Sequence, residues 1–143
     1  MHVHNKLLPS EVQLIEMAKP GPEGPICMVN LLKYKECAEY EDGRETSLSG
    51  AEAYAIYGAA VLELMGDYGA YLGFSGAVSN IMLGDVEEPW DSIALAYYPS
   101  RAKMLEMFMS PVFQEISVHR TAGLAGQLNI ETAGLMGSWF NQN

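Results

Sequence analysis

Positive charge is scarce in this chain. Eight Lys and Arg stand against 18 Asp and Glu over 143 residues, a net charge of −10. The eight do not cluster, so there is no basic stripe to neutralise phosphates, and nucleic acid and anionic membranes are excluded as partners. Cysteine is scarce too. Cys27 and Cys37 lack Cys-x-x-Cys spacing, so no disulfide framework is expected, and Cys27 reads as a buried, inert thiol. No apolar run is long enough to span a bilayer, and the opening MHVHNKLLPSE lacks the apolar core of a secretory signal. A cytoplasmic protein is expected. Phosphate loops, nucleophile elbows and zinc spacings are missing. His2 and His4 have no third ligand beside them, so neither metal nor cofactor is expected.

What is present is enough for one globular core. Apolar residues make up 49% of the chain, and a chain of this length buries most of its apolar surface without staples. Ser10 with Gln13 predicts a capping box for a helix over 9–18. The three prolines of PGPEGP (20–25) end it. PICMVNLLKY (25–34) reads as a strand, and Asp42-Gly43 as a turn in the acidic connection after it. Ser49 with Glu52 predicts a second capping box, opening a helix over 50–66 whose apolar residues recur with helical period. Residues 70–83 read as one long strand with glycine bends, or as two short ones. WDSIALAYY (90–98) reads as the next strand, with Ile93, Leu95 and Tyr97 on one face and Ala94 and Ala96 on the other. Ser100 opens a helix to about 109. Ser110-Pro111 opens another to about 120, and GQLNIE (126–131) is the last strand. GLMGSWFNQN, the tail, either frays or docks on a partner.

The order, a helix and then β-α-β-β-α-β, is the split ferredoxin-like pattern. It predicts an α+β domain over 25–132, with four antiparallel strands and helices on one face. An N-terminal helix and Pro/Gly linker (1–24) precede it and a tail (133–143) follows. The first strand is apolar on both faces, so its far face is expected to meet a second sheet in a homodimer. Asn30 interrupts that strand, and a buried carboxamide needs partners, because leaving it unbonded costs about 1–3 kcal/mol. It either ties the backbone of a neighbouring loop or helix, closing the sheet edge, or forms the floor of a cleft, where its donors orient a carbonyl, an oxyanion or dioxygen.

PICMVNLLKYKECAEYEDG resembles the opening motif of a bacterial family catalogued as a domain of unknown function, number thirteen-thirty. GAEAYAIYG (50–58), EEPWDSIALAYYPSRAKMLEMFMSPVFQ (87–114) and HRTAGL (119–124) extend the likeness over most of 25–130. The resemblance implies a dimeric α+β barrel, an architecture that includes cofactor-independent monooxygenases, haem-degrading enzymes and small-molecule isomerases. Tyr71 and Phe74 stand where that pattern often has Arg and Trp, which implies a less charged ligand.

Seven residues form the candidate site in a small-molecule pocket between sheet and helices. Asn30 would hold an oxyanion, and His119 would move a proton near neutral pH. Tyr54 and Tyr57, at i and i+3 on one helix face, would donate to a carbonyl. Trp90 would stack on a flat ligand beside Asp91. Arg101, in a first helical turn where a cation is disfavoured, would bind a ligand anion or pair with Asp91 or a helix carboxylate. The expected activity is a cofactor-independent oxygenase or isomerase acting on an apolar carbonyl compound. The alternative is a non-catalytic binding or sensing module.

Overall fold

The computed structural model describes residues 1–140 of the 143. Helix α1 spans Glu11–Ala18, strand β1 Ile26–Tyr34, helix α2 Gly50–Gly66, strand β2 Tyr71–Ala77 and strand β3 Ser92–Tyr98. Helices α3 (Arg101–Phe108) and α4 (Pro111–Gly123), strand β4 (Leu124–Ala133) and a 3-10 turn (Ser138–Phe140) complete the order.

The helix starts follow the local chemistry of the sequence. Both capping boxes form: Ser10 and Ser49 accept from the backbone N–H three residues on, and Gln13 and Glu52 accept from the cap backbone in return. Ser100 and Ser110 cap α3 and α4, and Pro111 occupies the first turn of α4. Such a cap contributes about 1 kcal/mol.

The strands form one antiparallel sheet in the order β2-β3-β1-β4. This is the ferredoxin-like α+β fold. Side chains alternate across a strand, so register assigns the two faces. Ile26 and Met28 of β1 pair with Tyr98 and Ala96 of β3, and these four join α2, α3 and α4 in the main core. Val29, Leu31, Leu95 and Ile93 alternate with them on the opposite, open face, as do Leu128 and Ile130 of β4. At the edge the 3-10 turn stacks Trp139 on Phe74, with ring centroids 5.1 Å apart. As far as Phe140 the tail thus docks on the edge strand of its own sheet rather than on a partner, and the last three residues lie outside the described part.

Some boundaries differ from the expected ones. The strand expected over 70–83 stops at Ala77: its register slips between Leu72 and Phe74, pairing resumes from Phe74 to Ala77, and the chain then leaves the sheet. Trp90 and Asp91 precede β3 rather than opening it. Helix α4 continues to Gly123, and β4 is longer at both ends than expected.

One close approach positions the site. A Cβ on Gly123 would collide with the carbonyl oxygen of Gly50 and come within 2.8 Å of the backbone N of Tyr54. A Cβ on Gly50 would collide with the carbonyl of Lys35. The end of α4 therefore lies directly on the first turn of α2, and this contact brings Tyr54 and Arg120 to the same side of the layer.

Candidate functional site

The expected site residues separate into four places. Asn30, Tyr54 and Tyr57 lie together between the sheet and the helices. Asn30 Nδ2 donates to the carbonyls of Ala94 (3.2 Å) and Met28 (3.3 Å), and its Oδ1 accepts from Gln127 Nε2 at 2.9 Å. Both ends of the carboxamide are thus bonded to protein. Gln127, the one buried polar residue among those described, in turn accepts from Arg120 Nη2 at 2.6 Å. A continuous relay runs from α4 through β4 and β1 to a carbonyl of β3.

Above this relay is a nest of phenols. The ring centroids of Tyr34 and Tyr54 are 5.4 Å apart, and those of Tyr54 and Tyr57 5.3 Å. Tyr57 is 9% exposed and Tyr98 5%. The hydroxyls of Tyr54, Tyr57 and Tyr98 make no hydrogen bond to any described residue. Burial pushes all three phenols well above the usual range, and each feels another phenol of the group, while Arg120 pulls Tyr54 and Tyr57 the other way. Met28, Phe113 and Ile116 pack against the same cluster. No carboxylate or imidazole is among the charges these phenols feel.

His119 lies elsewhere. Its Nδ1 is 2.7 Å from Tyr40 Oη, beside the smaller apolar cluster of Ala38, Ala53 and Ala122. Trp90 and Asp91 border a surface hollow of about 310 Å³ with Val78, Ser79, Asn80, Ile81 and Pro89. Trp90 Nε1 donates to Asn5 Oδ1 at 2.8 Å. Asp91 accepts from the backbone N of Tyr34 at 2.8 Å and from Lys33 Nζ at 3.4 Å. Arg101 pairs with Glu131 at 2.6 and 2.8 Å and donates to the carbonyls of Glu16 and Lys19, so it ties α1 to α3 and β4. Its partner is a strand carboxylate rather than Asp91 or a helix carboxylate, because β4 runs beneath the start of α3. A second hollow of about 440 Å³, lined by His4, Lys6, Leu8, Ser10 and Gln13, lies along the N-terminal arm. Neither hollow lies between sheet and helices.

Tyr98, Arg120 and Gln127 were not among the expected site residues. Their signal was positional. Arg120 follows Phe113 and Ile116 at helical spacing, so an arginine occupies the inward stripe of α4. Gln127 is a polar residue at an inward strand position, and Tyr98 shares the face of Ala94 and Ala96. Among the described residues no group of three His, Cys, Asp or Glu is placed to hold a metal ion. No described helix is long and apolar enough to cross a membrane.

Solved structures give the chain relatives. It is 33% identical to the methylated RPA0582 protein, with a TM-score of 0.84, covering 94% of this chain and 98% of that one. A second structure of RPA0582, described as a protein of unknown function from Rhodopseudomonas palustris, matches at 30% identity and a TM-score of 0.83. It covers 94% of this chain and all of that one. The chain belongs to the RPA0582 family. An uncharacterised NIPSNAP domain protein from Burkholderia xenovorans aligns at 13% identity and a TM-score of 0.51, over 78% of this chain and 94% of its own. A dabb family protein with a ferredoxin-like fold from Mesorhizobium loti aligns at 9% identity and 0.51, over 80% of this chain and all of its own. These two likenesses concern the fold alone. No family profile and no curated protein matches the chain.

Proposed function

We propose that this member of the RPA0582 family is a small-molecule binding protein. Its site is the phenol nest between the sheet and helices α2 and α4, formed by Tyr54, Tyr57, Tyr98 and Arg120. One observation carries the reading: Tyr57 and Tyr98 are 9% and 5% exposed, and their hydroxyls have no hydrogen-bond partner among the described residues yet are not sealed from solvent. A donor at the mouth of an apolar nest that no protein group takes is free for a polar occupant. The surrounding methionines and aromatic rings are adaptable packing that can yield to a ligand. Asn30 serves this site by orienting Gln127, and Gln127 by orienting Arg120.

Binding without turnover is the reading the geometry favours over an oxygenase or isomerase. Removing a proton beside a carbonyl requires a base in reach of the substrate. His119 bonds Tyr40 at a different place, and no carboxylate faces the phenols. The motif likeness of 25–34, 50–58 and 87–114 supports membership of the thirteen-thirty family as part of this proposal.

The proposed oligomer is a homodimer through the open sheet face, where Val29, Leu31, Ile93, Leu95, Leu128 and Ile130 present an apolar surface. A face of this kind on a folded protein marks an association surface.

The methionines provide the test. Met28, Met65, Met104 and Met107 are buried in the main core, while Met82 and Met136 are exposed. In protein labelled with 13C at the methionine methyls, small aromatic compounds that enter the site should shift the core signals saturably, Met28 above all. Shifts confined to Met82 and Met136 across such a screen would overturn the reading.

A further inference from the structure

The chain has three arginines. Arg44 pairs with Asp42, and Arg101 with Glu131, each at 2.6 Å. Arg120 has no carboxylate within ion-pair distance among the described residues, in a chain with 18 acidic side chains. It lies in the last turn of α4, where a cation suits the helix dipole. Yet its Nη2 is directed to the sheet, to Gln127 at 2.6 Å, rather than back to the helix carbonyls.

A guanidinium carries five N–H donors in a fixed fork, and Gln127 Oε1 takes one of them. The hydroxyls of Tyr54 and Tyr57, close enough to feel the Arg120 charge, add two more donors with no hydrogen-bond partner among the described residues. Because burial keeps these phenols protonated, they remain donors across the ordinary pH range. The site is therefore rich in donors, and among the described residues no carboxylate competes with a ligand for the guanidinium. The relay from Gln127 through Asn30 to the Ala94 carbonyl holds the fork in one orientation. Met28, Phe113 and Ile116 offer an apolar wall to the rest of a ligand.

We propose that the site takes an organic monoanion, a small carboxylate on a flat apolar body, with the Arg120 fork on its oxygens and the hydroxyls of Tyr54 and Tyr57 as neutral donors. This rests on the binding site proposed above and names the class of its ligand. It also replaces the less charged ligand expected from Tyr71, because Arg120 supplies positive charge from a different element.

The test compares matched acids and amides on the full-length protein: benzoate against benzamide, and 1-naphthoate against 1-naphthamide, read on the 13C-methyl signals of methionine. The acids should shift Met28 saturably and bind roughly tenfold or more tightly than the amides, the size of one charge-assisted hydrogen bond. In Arg120→Met the preference should fall to near unity, and Arg120→Lys should retain part of it, because the charge remains without the fork. Amides that move Met28 as tightly as the acids would overturn the anion proposal and leave the binding site standing. An acid preference that survives Arg120→Met would also overturn it. If none of the four compounds moves Met28, the binding reading fails and the anion proposal with it. The acid–amide comparison on the unaltered chain does not depend on any variant folding.

Discussion

Arg120 on α4 and Gln127 on β4 are joined by a 2.6 Å hydrogen bond, although the helix ends and the strand begins between them. Gln127 then passes its own N–H to Asn30, 97 positions earlier in the chain. The two bonds together therefore tie an inward-pointing arginine through the edge strand β4 to the central strand β1.

Breaking this relay should lower stability. Asn30→Ala leaves Gln127 Nε2, in a buried residue, without its acceptor, and Gln127→Ala leaves Asn30 Oδ1 without its donor. Each should cost about 1–3 kcal/mol in urea unfolding. The double variant should cost less than the sum, because both remove the same bond. Strictly additive losses would show that the relay is not an energetic unit.

Two glycines should respond to alanine in opposite directions. A Cβ at Gly123 meets backbone of α2, which cannot rotate away, and Gly123→Ala should destabilise by about 1–3 kcal/mol. A Cβ at Gly58, in the middle of α2, meets nothing within 4 Å, and Gly58→Ala should stabilise by about 0.5–1 kcal/mol. Thermal unfolding of the two variants checks both signs.

Alkaline titration should single out the phenol nest. Burial raises Tyr54, Tyr57 and Tyr98 above the ordinary tyrosine value of 10.0. A group raised in the folded state contributes stability that is whole below its unfolded value and is lost as pH climbs past it. Stability should therefore fall as pH rises above 10.0. Phenolate absorbance and circular dichroism, followed together, should show three of the eight tyrosines ionising only within the unfolding transition. Full ionisation before any loss of structure would place these phenols in contact with water.

Arg101 and Arg120 should differ in what their loss does. Arg101 and Glu131 are 16% and 17% exposed at their side chains and form a two-point pair, so Arg101→Met should lower stability by roughly 1–3 kcal/mol and leave acid binding intact. Arg120→Met should chiefly remove acid binding. Chemical denaturation and the methionine titration, run on both variants, separate the roles.

A charge on the open sheet face tests the dimer. Ile130 is 47% exposed in the single chain, and Ile130→Glu would bury a carboxylate at the proposed interface. Sedimentation equilibrium should show a dimer for the unaltered protein and a monomer for the variant. The phenol nest lies on the other side of the sheet, so a monomeric variant should still fold.

Local chemistry settles much of the fold. Ser10, Ser49, Ser100 and Ser110 each mark a helix start, because a hydroxyl that satisfies the first free N–H groups acts within three residues. Helical periodicity placed Tyr57 inward, and the order of elements was enough for the ferredoxin-like sheet. The strand over 70–83 was less legible. A register slip beside Gly73 depends on what the neighbouring strand does, and composition does not carry that.

Tertiary structure alone decided the site. Asn30 announced itself as a polar residue in an apolar strand, but its partners Ala94 and Gln127 are distant in sequence. Trp90 joined Asn5, His119 joined Tyr40, and Arg101 joined Glu131 for the same reason. A hydrogen bond has a reach of about 3 Å, and only the packed layers determine which groups come that close. Residue type and period stated which side chains need partners. The close approach of Gly123 to the first turn of α2, and the turn from α4 into β4, determined that Arg120 reaches Gln127 and comes near the phenols of Tyr54 and Tyr57.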